Sequence, residues 1–341
     1  MKHHFSLLCS AFLLSACARS PPDLVFSGPT MGTAYTVKIA NAREPVDKQA
    51  VQAAIDTILA RIDREMSGYR GDSELSRFNA ATTTEWFDVS ADVVEVVDEA
   101  LAVAAASEGA LDITIAPLVD LWGFGPIGEP VDTPTPVQIE TTRAHTGYRK
   151  LQTRRQPPAL RKASADLTLD LNSVAPGFAT DLLFERLHAM GFDNVMVDIG
   201  GEVRARGRNP KGEHWRIAVE KPLDTEPEPF AIVQLDGMAV TTSGEYRHYY
   251  SRDGKRYSHT IDPRTGRPVQ HTLASVVVVG SSALNADAWA TALNVLGEEA
   301  GYALAIQRNM PAMFIVPVGG RWQARMTPAF EPYLAVPPDE N

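Results

Sequence analysis

Two hydrophobic periods run through this chain. Over 47–66, Val51, Ile55, Ile58, Leu59, Ile62 and Met66 recur at helical spacing, so the pattern predicts an amphipathic helix with a core-facing stripe. Ser90 stands where an N-cap belongs for a second helix running to about 107 and ended by Gly109. A short helix is expected from Pro136 to about 145, and a longer one over 178–190, ended by Gly191. Around 285–297 the interior is rich in Ala and Leu, with Asn285 as cap and Gly297 as stop. Strand-like runs fall at 24–39, interrupted at 28–33, then at 148–153, 159–171, 194–199, 214–220, 229–236, 237–242, 246–257, 274–279, 312–317 and 321–327. Residues 126–136 are Pro-rich and predict a loop. No fixed-period repeat is evident.

The first residues change the picture. Lys2, His3 and His4 precede a short apolar run over 5–14, too short for a permanent membrane span. Leu14-Ser15-Ala16-Cys17 follows and resembles a lipobox, in which 1–16 is a signal peptide and Cys17 becomes the lipidated first residue. The only two cysteines are Cys9 and Cys17, so the body has no thiol for a disulfide, a zinc cluster or a nucleophile. The expected organisation is a signal peptide (1–16), a tether (17–23), one large domain (24–330) and a Pro-rich tail (331–341). A net charge of −10 argues against broad nucleic-acid binding, though not against an anionic ligand held locally.

Candidate chemistry gathers at a few places. Asp287 and Thr291 lie four residues apart on one helix and share a face. A carboxylate and a hydroxyl aimed at one point suit a hard cation such as Mg²⁺, although the pair alone reads more readily as a solvated helix face. The run 170–177 leads a strand into a helix whose start predicts a phosphate seat, through free N–H groups and the dipole. Tyr69, in a Gly-flanked loop, is either a stacking platform or a half-buried anchor. Gly28 and Gly32 allow close backbone approach, or make a plain turn. His259 precedes Asp262-Pro263-Arg264-Thr265-Gly266, a turn fixed by Pro and Gly, and is a candidate acid/base or a structural histidine.

Taken in order, Pro-Thr-Met-Gly-Thr (29–33), Met-Ser-x-Tyr (66–69), Ser-Glu-Leu-x-x-x-Asn (73–79), Leu-Asp-Ile-Thr-Ile-Ala-Pro-Leu (111–118), Leu-Trp-Gly-Phe-Gly (121–125), Asp-Leu-x-Ser-Val-Ala-x-Gly-Phe-Ala-x-Asp (170–181), Val-Asp-Ile-Gly-Gly-Glu (197–202), Ser-Gly-x-Tyr (243–246), Ser-His-x-Ile-Asp-Pro-x-Thr-Gly (258–266) and Ala-Asp-Ala-Trp-Ala-Thr-Ala-Leu (286–293) resemble the FAD:protein FMN transferase (ApbE) family over about 24–327. The resemblance implies an α+β fold, with mixed or antiparallel sheets flanked by helices and a flavin cleft between two subdomains of T-fold-like architecture. It implies Mg²⁺-dependent transfer of FMN from FAD to a Thr or Ser hydroxyl of a partner redox protein, with release of AMP. The acceptors implied are membrane redox subunits of the sodium-pumping NADH:quinone reductase or Rnf kind. The place implied is the periplasmic side of the bacterial inner membrane, with the lipid on Cys17 as anchor. Carried over by motif, Asp287, Thr291 and the Ser173 carbonyl would hold the metal. Met31, Tyr69, Ala110, Leu111, Asp112, Asp170, Pro176 and Ile261 would line the FAD site, and His259 would be the base. Pro176 departs from relatives, which usually carry Lys or Glu there, so a side-chain contact is lost. Two other readings stay open: a Mg²⁺-dependent FAD pyrophosphatase giving FMN and AMP, and a periplasmic flavin-binding lipoprotein without chemistry.

Overall fold

The computed structural model describes residues 23–339, except 43–44, 126–127, 129, 131, 224, 245–248 and 253. Cys9, Cys17 and the lipobox reading lie outside the described residues, as do Glu245 and Tyr246.

Eight strands form one sheet whose spatial order is the chain order: β1 (Leu24–Thr30), β2 (Thr33–Ile39), β3 (Val195–Ile199), β4 (Glu202–Arg206), β5 (Met238–Gly244), β6 (Ser275–Gly280), β7 (Ala312–Val318) and β8 (Arg321–Met326). Every neighbouring pair is antiparallel. Four long helices pack together on one face: α1 (Lys48–Met66), α2 (Ala91–Ala106), α3 (Ala175–Ala189) and α4 (Ala283–Gln307). Of these, α3 rests on β3 and β4, and α4 on β5 and β6. A three-stranded sheet of Trp215–Glu220, Pro229–Leu235 and Leu334–Val336 covers the other face. The four valines of β6 show why the layers form. Val276 and Val278 point into the helical core, while Val277 and Val279 point into the second core with Trp215 and Phe230. A satellite cluster joins Leu118, Trp122, Ile139, Tyr257 and Ile261.

Local chemistry set the helix starts. Asp47 caps α1 by accepting from the Gln49 and Ala50 amides, and Ser90 caps α2 through the Val93 amide. The apolar stripe of α1 is buried as its period requires.

Several expected elements differ. Residues 24–39 are a hairpin, not one interrupted strand. Met31 and Gly32 both have positive φ (47° and 72°), and Thr30 faces Thr33, so the two form a tight turn whose twist matches the strands. The strand expected over 159–171 stops at Lys162, and the following residues serve a loop that leads into α3. Among the described residues of 246–257 there are two short paired strands, Tyr249–Arg252 and Lys255–Ser258. Asn285 does not cap α4. Ser282 does, and Asn285 donates to Glu99 instead. Gly297 breaks α4 (φ 77°, ψ −179°), but helix resumes and runs to Gln307. The segment read as a tail from 331 contains the strand Leu334–Val336. β4, and the short helix Glu74–Ala80, were not anticipated.

Candidate functional site

The start of α3 meets the middle of the first half of α4. Gly177 makes the meeting possible: a Cβ there would lie 2.6 Å from the Ala283 carbonyl oxygen and 2.9 Å from Asp287 Cβ. Across this contact the Gly177 amide donates to Asp287 Oδ2 at 3.2 Å.

That bond overturns the phosphate seat expected at the start of α3. The Val174 and Ala175 amides donate to the Leu171 carbonyl, Pro176 has no N–H, and the Gly177 amide is spent on Asp287. No first-turn amide is left for an anion. The same geometry exposes a different donor. In a regular turn the Gly177 amide would bond the Ser173 carbonyl four residues back. With that amide turned to Asp287, the Ser173 carbonyl accepts from no amide among the described residues.

Asp287 is 8% exposed and among the described residues receives only that one hydrogen bond. Burial first, then the negative charge of Glu202, raises its pKa well above the ordinary carboxylate range. Thr291 follows one turn later on α4, and its hydroxyl has no hydrogen-bond partner among the described residues. A buried carboxylate short of donors, a free carbonyl and a free hydroxyl form an oxygen set that a hard divalent cation fits. Among the described residues no group of three or more His, Cys, Asp or Glu is placed to hold a metal, so carbonyl and hydroxyl oxygens would have to complete such a shell.

Two residues outside the expected set hold this junction. Asp181 on α3 accepts from Ser282 Oγ (2.8 Å) and from the Ala283 and Leu284 amides (2.9 and 3.0 Å), so it closes the start of α4. It also pairs with Arg204 of β4 at 2.8 Å. Glu202, at the head of β4, interacts electrostatically with Asp287, and burial pushes its pKa up to about 8. Both fall in quoted motifs, Phe-Ala-x-Asp and Gly-Gly-Glu. Their motif positions were the available signal, but their partners are distant in sequence.

The remaining expected residues surround the junction unevenly. Tyr69 is 66% exposed, and its hydroxyl is hydrogen-bonded to the Asn172 side chain beside Asp170 and Asp120. Partial burial, then those two carboxylates, raises its pKa. The Asp170 amide donates to the Ile113 carbonyl, which ties this loop to 110–115, and burial raises the Asp170 pKa. Asp112 is already engaged: it accepts from the Thr114 amide, the Thr114 hydroxyl and the Tyr148 amide. Ala110 and Leu111 are buried at 1% and 2%, so neither presents surface to a ligand in this structure. Met31 occupies the β1–β2 turn, close to the β3–β4 turn, because the Gly200 amide donates to the Ala34 carbonyl. Pro176 is the second residue of α3.

His259 is half-buried, with Phe124 edge-on at 6.4 Å between ring centres. Its neighbours connect it to α4. Asn294 donates to Ser243 Oγ at 3.2 Å and to Thr260 Oγ1 at 3.5 Å, one turn below Thr291. Ile261 is buried in the satellite cluster, where Trp122 Nε1 donates to the Gly266 carbonyl at 2.8 Å and fixes the Asp-Pro-x-Thr-Gly turn. Trp122 is thus structural. A separate basic hollow of about 220 Å³, lined by Arg149, Lys150, Arg161 and Lys162, is no part of this constellation.

An antiparallel sheet carries its helices on one face, and oxygen atoms gather where α3 meets α4. The protein is therefore of the α+β class, with oxygen atoms gathered where two of its helices meet. The chain belongs to the ApbE family, whose model matches residues 31–314. A curated relative from Vibrio cholerae, an FAD:protein FMN transferase, is 40% identical over 98% of this chain and all of its own length. Among solved structures, the flavin transferase ApbE from Vibrio cholerae superposes with a TM-score of 0.85 at 41% identity, covering 92% of this chain and 99% of that one. The apo flavinyl transferase ApbE of Pseudomonas stutzeri gives 0.83 at 42% identity, covering 92% and 98%.

Proposed function

We propose that this chain transfers FMN from FAD to a Thr or Ser hydroxyl of a partner protein, in a Mg²⁺-dependent reaction. The observation that carries the reading is the junction itself: the Gly177 amide diverted to Asp287 leaves the Ser173 carbonyl, the Asp287 carboxylate and the Thr291 hydroxyl as open oxygen donors. These three would hold Mg²⁺, which when bound neutralises pyrophosphate charge. His259 accepts the proton of the incoming hydroxyl. The acceptor oxygen then bonds to the FMN phosphorus, the bond from that phosphorus to the bridging pyrophosphate oxygen breaks, and AMP leaves. Asp181 and Gly177 keep α3 and α4 at the spacing that aligns the donors. Tyr69, exposed beside Asp170, offers a ring face to the isoalloxazine. With no first-turn amide free on α3, phosphate charge must be met by the cation rather than by that helix.

The acceptors under this reading are membrane redox subunits of the sodium-pumping NADH:quinone reductase or Rnf type. The chain works on the periplasmic side of the inner membrane, anchored through lipid on Cys17, a reading supported by the sequence of 1–17. No helix among the described residues is long and apolar enough to cross a membrane.

The test incubates the protein with FAD, MgCl₂ and an acceptor domain, recording intact mass and AMP. An acceptor gaining one FMN mass with matching AMP, both lost in Asp287→Ala, supports transfer. AMP and free FMN with an unmodified acceptor would point to hydrolysis, and bound FAD without AMP to a carrier.

A further inference from the structure

Between residues 141 and 165 the chain carries seven Lys and Arg and no Asp or Glu, although its net charge is −10. The two strands of this stretch, Leu151–Arg155 and Pro158–Lys162, are antiparallel, with Gln152 opposite Arg161. Side chains alternate across them. Thr153 and Arg155 turn to Asp98 of α2. Gln152, Arg154 and Arg161 lie on the other face, where the Arg154 and Arg161 guanidinium carbons are 4.8 and 4.9 Å from the centre of the Trp86 ring. Here opens the hollow of about 220 Å³. Its wall brings together Thr84, Gln152 and the four cations Arg149, Lys150, Arg161 and Lys162, and no carboxylate lines it.

Neutral groups hold these cations. Lys162, 1% exposed, donates through Nζ to the carbonyls of Phe78, Asn79 and Leu167 at 3.2, 3.3 and 3.2 Å. Lys150 Nζ donates to the Ala144 and Thr146 carbonyls at 2.6 and 2.8 Å. Arg161 donates from Nε to Gln152 Oε1 at 3.1 Å, and a second of its nitrogens donates to the same oxygen. Arg149 is exposed, its guanidinium carbon 5.3 Å from the centre of the Tyr148 ring. These partners orient the side chains and cancel none of their charge. None of the four cations forms an ion pair among the described residues. Asp112 and Asp166 act on Lys150 and Lys162 only through space, from outside the hollow. Four like charges around one hollow repel, and a bound anion relieves that repulsion. They call for more than one negative charge, and guanidinium groups match phosphate oxygens two at a time.

We propose that this hollow is a binding site for a phosphate-bearing anion, with the Arg149 and Arg161 guanidinium groups as donors and Lys150 and Lys162 as fixed background charge. The site is separate from the α3–α4 junction and stands whether or not that junction holds a metal. The phosphate belongs either to a soluble compound or to a phospholipid headgroup, and the experiment separates the two.

The melting temperature of the full chain is followed against sodium phosphate, with NaCl at matched ionic strength as control, for wild type, Arg149→Gln and Arg149→Gln/Arg161→Gln. A second arm sediments the full-chain Cys17→Ser protein, free of any lipid on that residue, with phosphatidylcholine vesicles that contain or lack phosphatidylglycerol. Phosphate raises the wild-type melting temperature beyond the NaCl control, and the half-effect concentration rises about 10-fold in the single variant and further in the double one. Both variants keep the phosphate-free melting temperature and any flavin-transfer activity. Sedimentation with the phosphatidylglycerol vesicles alone, lost when Arg149 and Arg161 are also replaced, assigns the phosphate to a lipid headgroup. A response to phosphate without such sedimentation assigns a soluble compound. No response in either arm overturns the proposal, as does one that NaCl reproduces or that the double variant retains. Flavin transfer lost together with phosphate binding would make the hollow part of the flavin site and overturn its separateness. Should the double variant unfold, Arg149→Gln alone decides, because that side chain is exposed.

Discussion

The Gly177 amide donates to Asp287 Oδ2 at 3.2 Å, and through this bond one glycine joins two helices and frees a carbonyl. Gly177→Ala would place a methyl group 2.6 Å from the Ala283 carbonyl oxygen, which is backbone and cannot swing aside. We expect α3 and α4 to separate, at a cost of about 1–3 kcal/mol. Urea unfolding measures that cost, and Mg²⁺ affinity should fall with it. A variant of wild-type stability would show that the helices have slack here.

Asp181 does three jobs at once, holding the Ala283 and Leu284 amides, Ser282 and Arg204. It is 15% exposed and Arg204 14%, so removing the carboxylate strands a largely buried guanidinium with only Glu185. Asp181→Ala should destabilise the fold by about 3 kcal/mol. A loss below about 1 kcal/mol in chemical denaturation would mean that water replaces the carboxylate, as at exposed pairs.

Glu65 predicts a pH effect away from the site. Burial, then the charges of Asp92 and Glu74, raises its pKa from 4.5 to about 7. The folded state therefore favours the protonated acid. Its contribution is full below pH 4.5 and is lost as pH rises through 7. Glu65→Gln cannot ionise, so its melting temperature relative to wild type should climb between those values and level off above. A difference independent of pH would refute the assignment.

His259→Ala tests the proton acceptor. We expect turnover to fall about 10²- to 10⁴-fold with FAD affinity nearly intact. Stopped turnover together with lost FAD binding would instead assign the imidazole to the binding site.

Cys17→Ser tests the anchor. Fractionation of cells should move the protein from the membrane to the soluble periplasmic fraction, while the purified protein keeps its activity. Unchanged membrane association would dismiss a lipid on Cys17.

Local signals in the chain carried much of this fold. Ser90 caps the helix it was expected to cap, and the stripe from Val51 to Met66 is buried, because caps and periodicity act within one or two turns. Asp287 and Thr291 share a face for the same reason. The errors have a common cause. Asn285 looked like a cap, but Ser282 and, across 101 residues, Asp181 close that helix start. Gly297 looked like a stop, yet helix resumes beyond it. His271 Nε2 lies 2.8 Å from the Asn294 carbonyl oxygen at this break, a tertiary contact that the local pattern does not encode. The start of α3 looked like an anion seat because nothing nearby in sequence announces that Asp287 takes its amide.

Pro29 gives the hairpin at the front of the chain a further role. β1 is an outer strand of the main sheet, with Pro29 opposite Ala34. Because Thr30 and Thr33 flank the two-residue turn as a hydrogen-bonded pair, the nitrogen of Pro29 points away from β2, toward the open side. A proline there offers no donor to another strand. A body tethered a few residues before this strand would meet its neighbours at high local density on a surface. Under the proposed anchor, Pro29 would keep that crowded rim from recruiting a second sheet, and copies could share a membrane without zipping edge to edge.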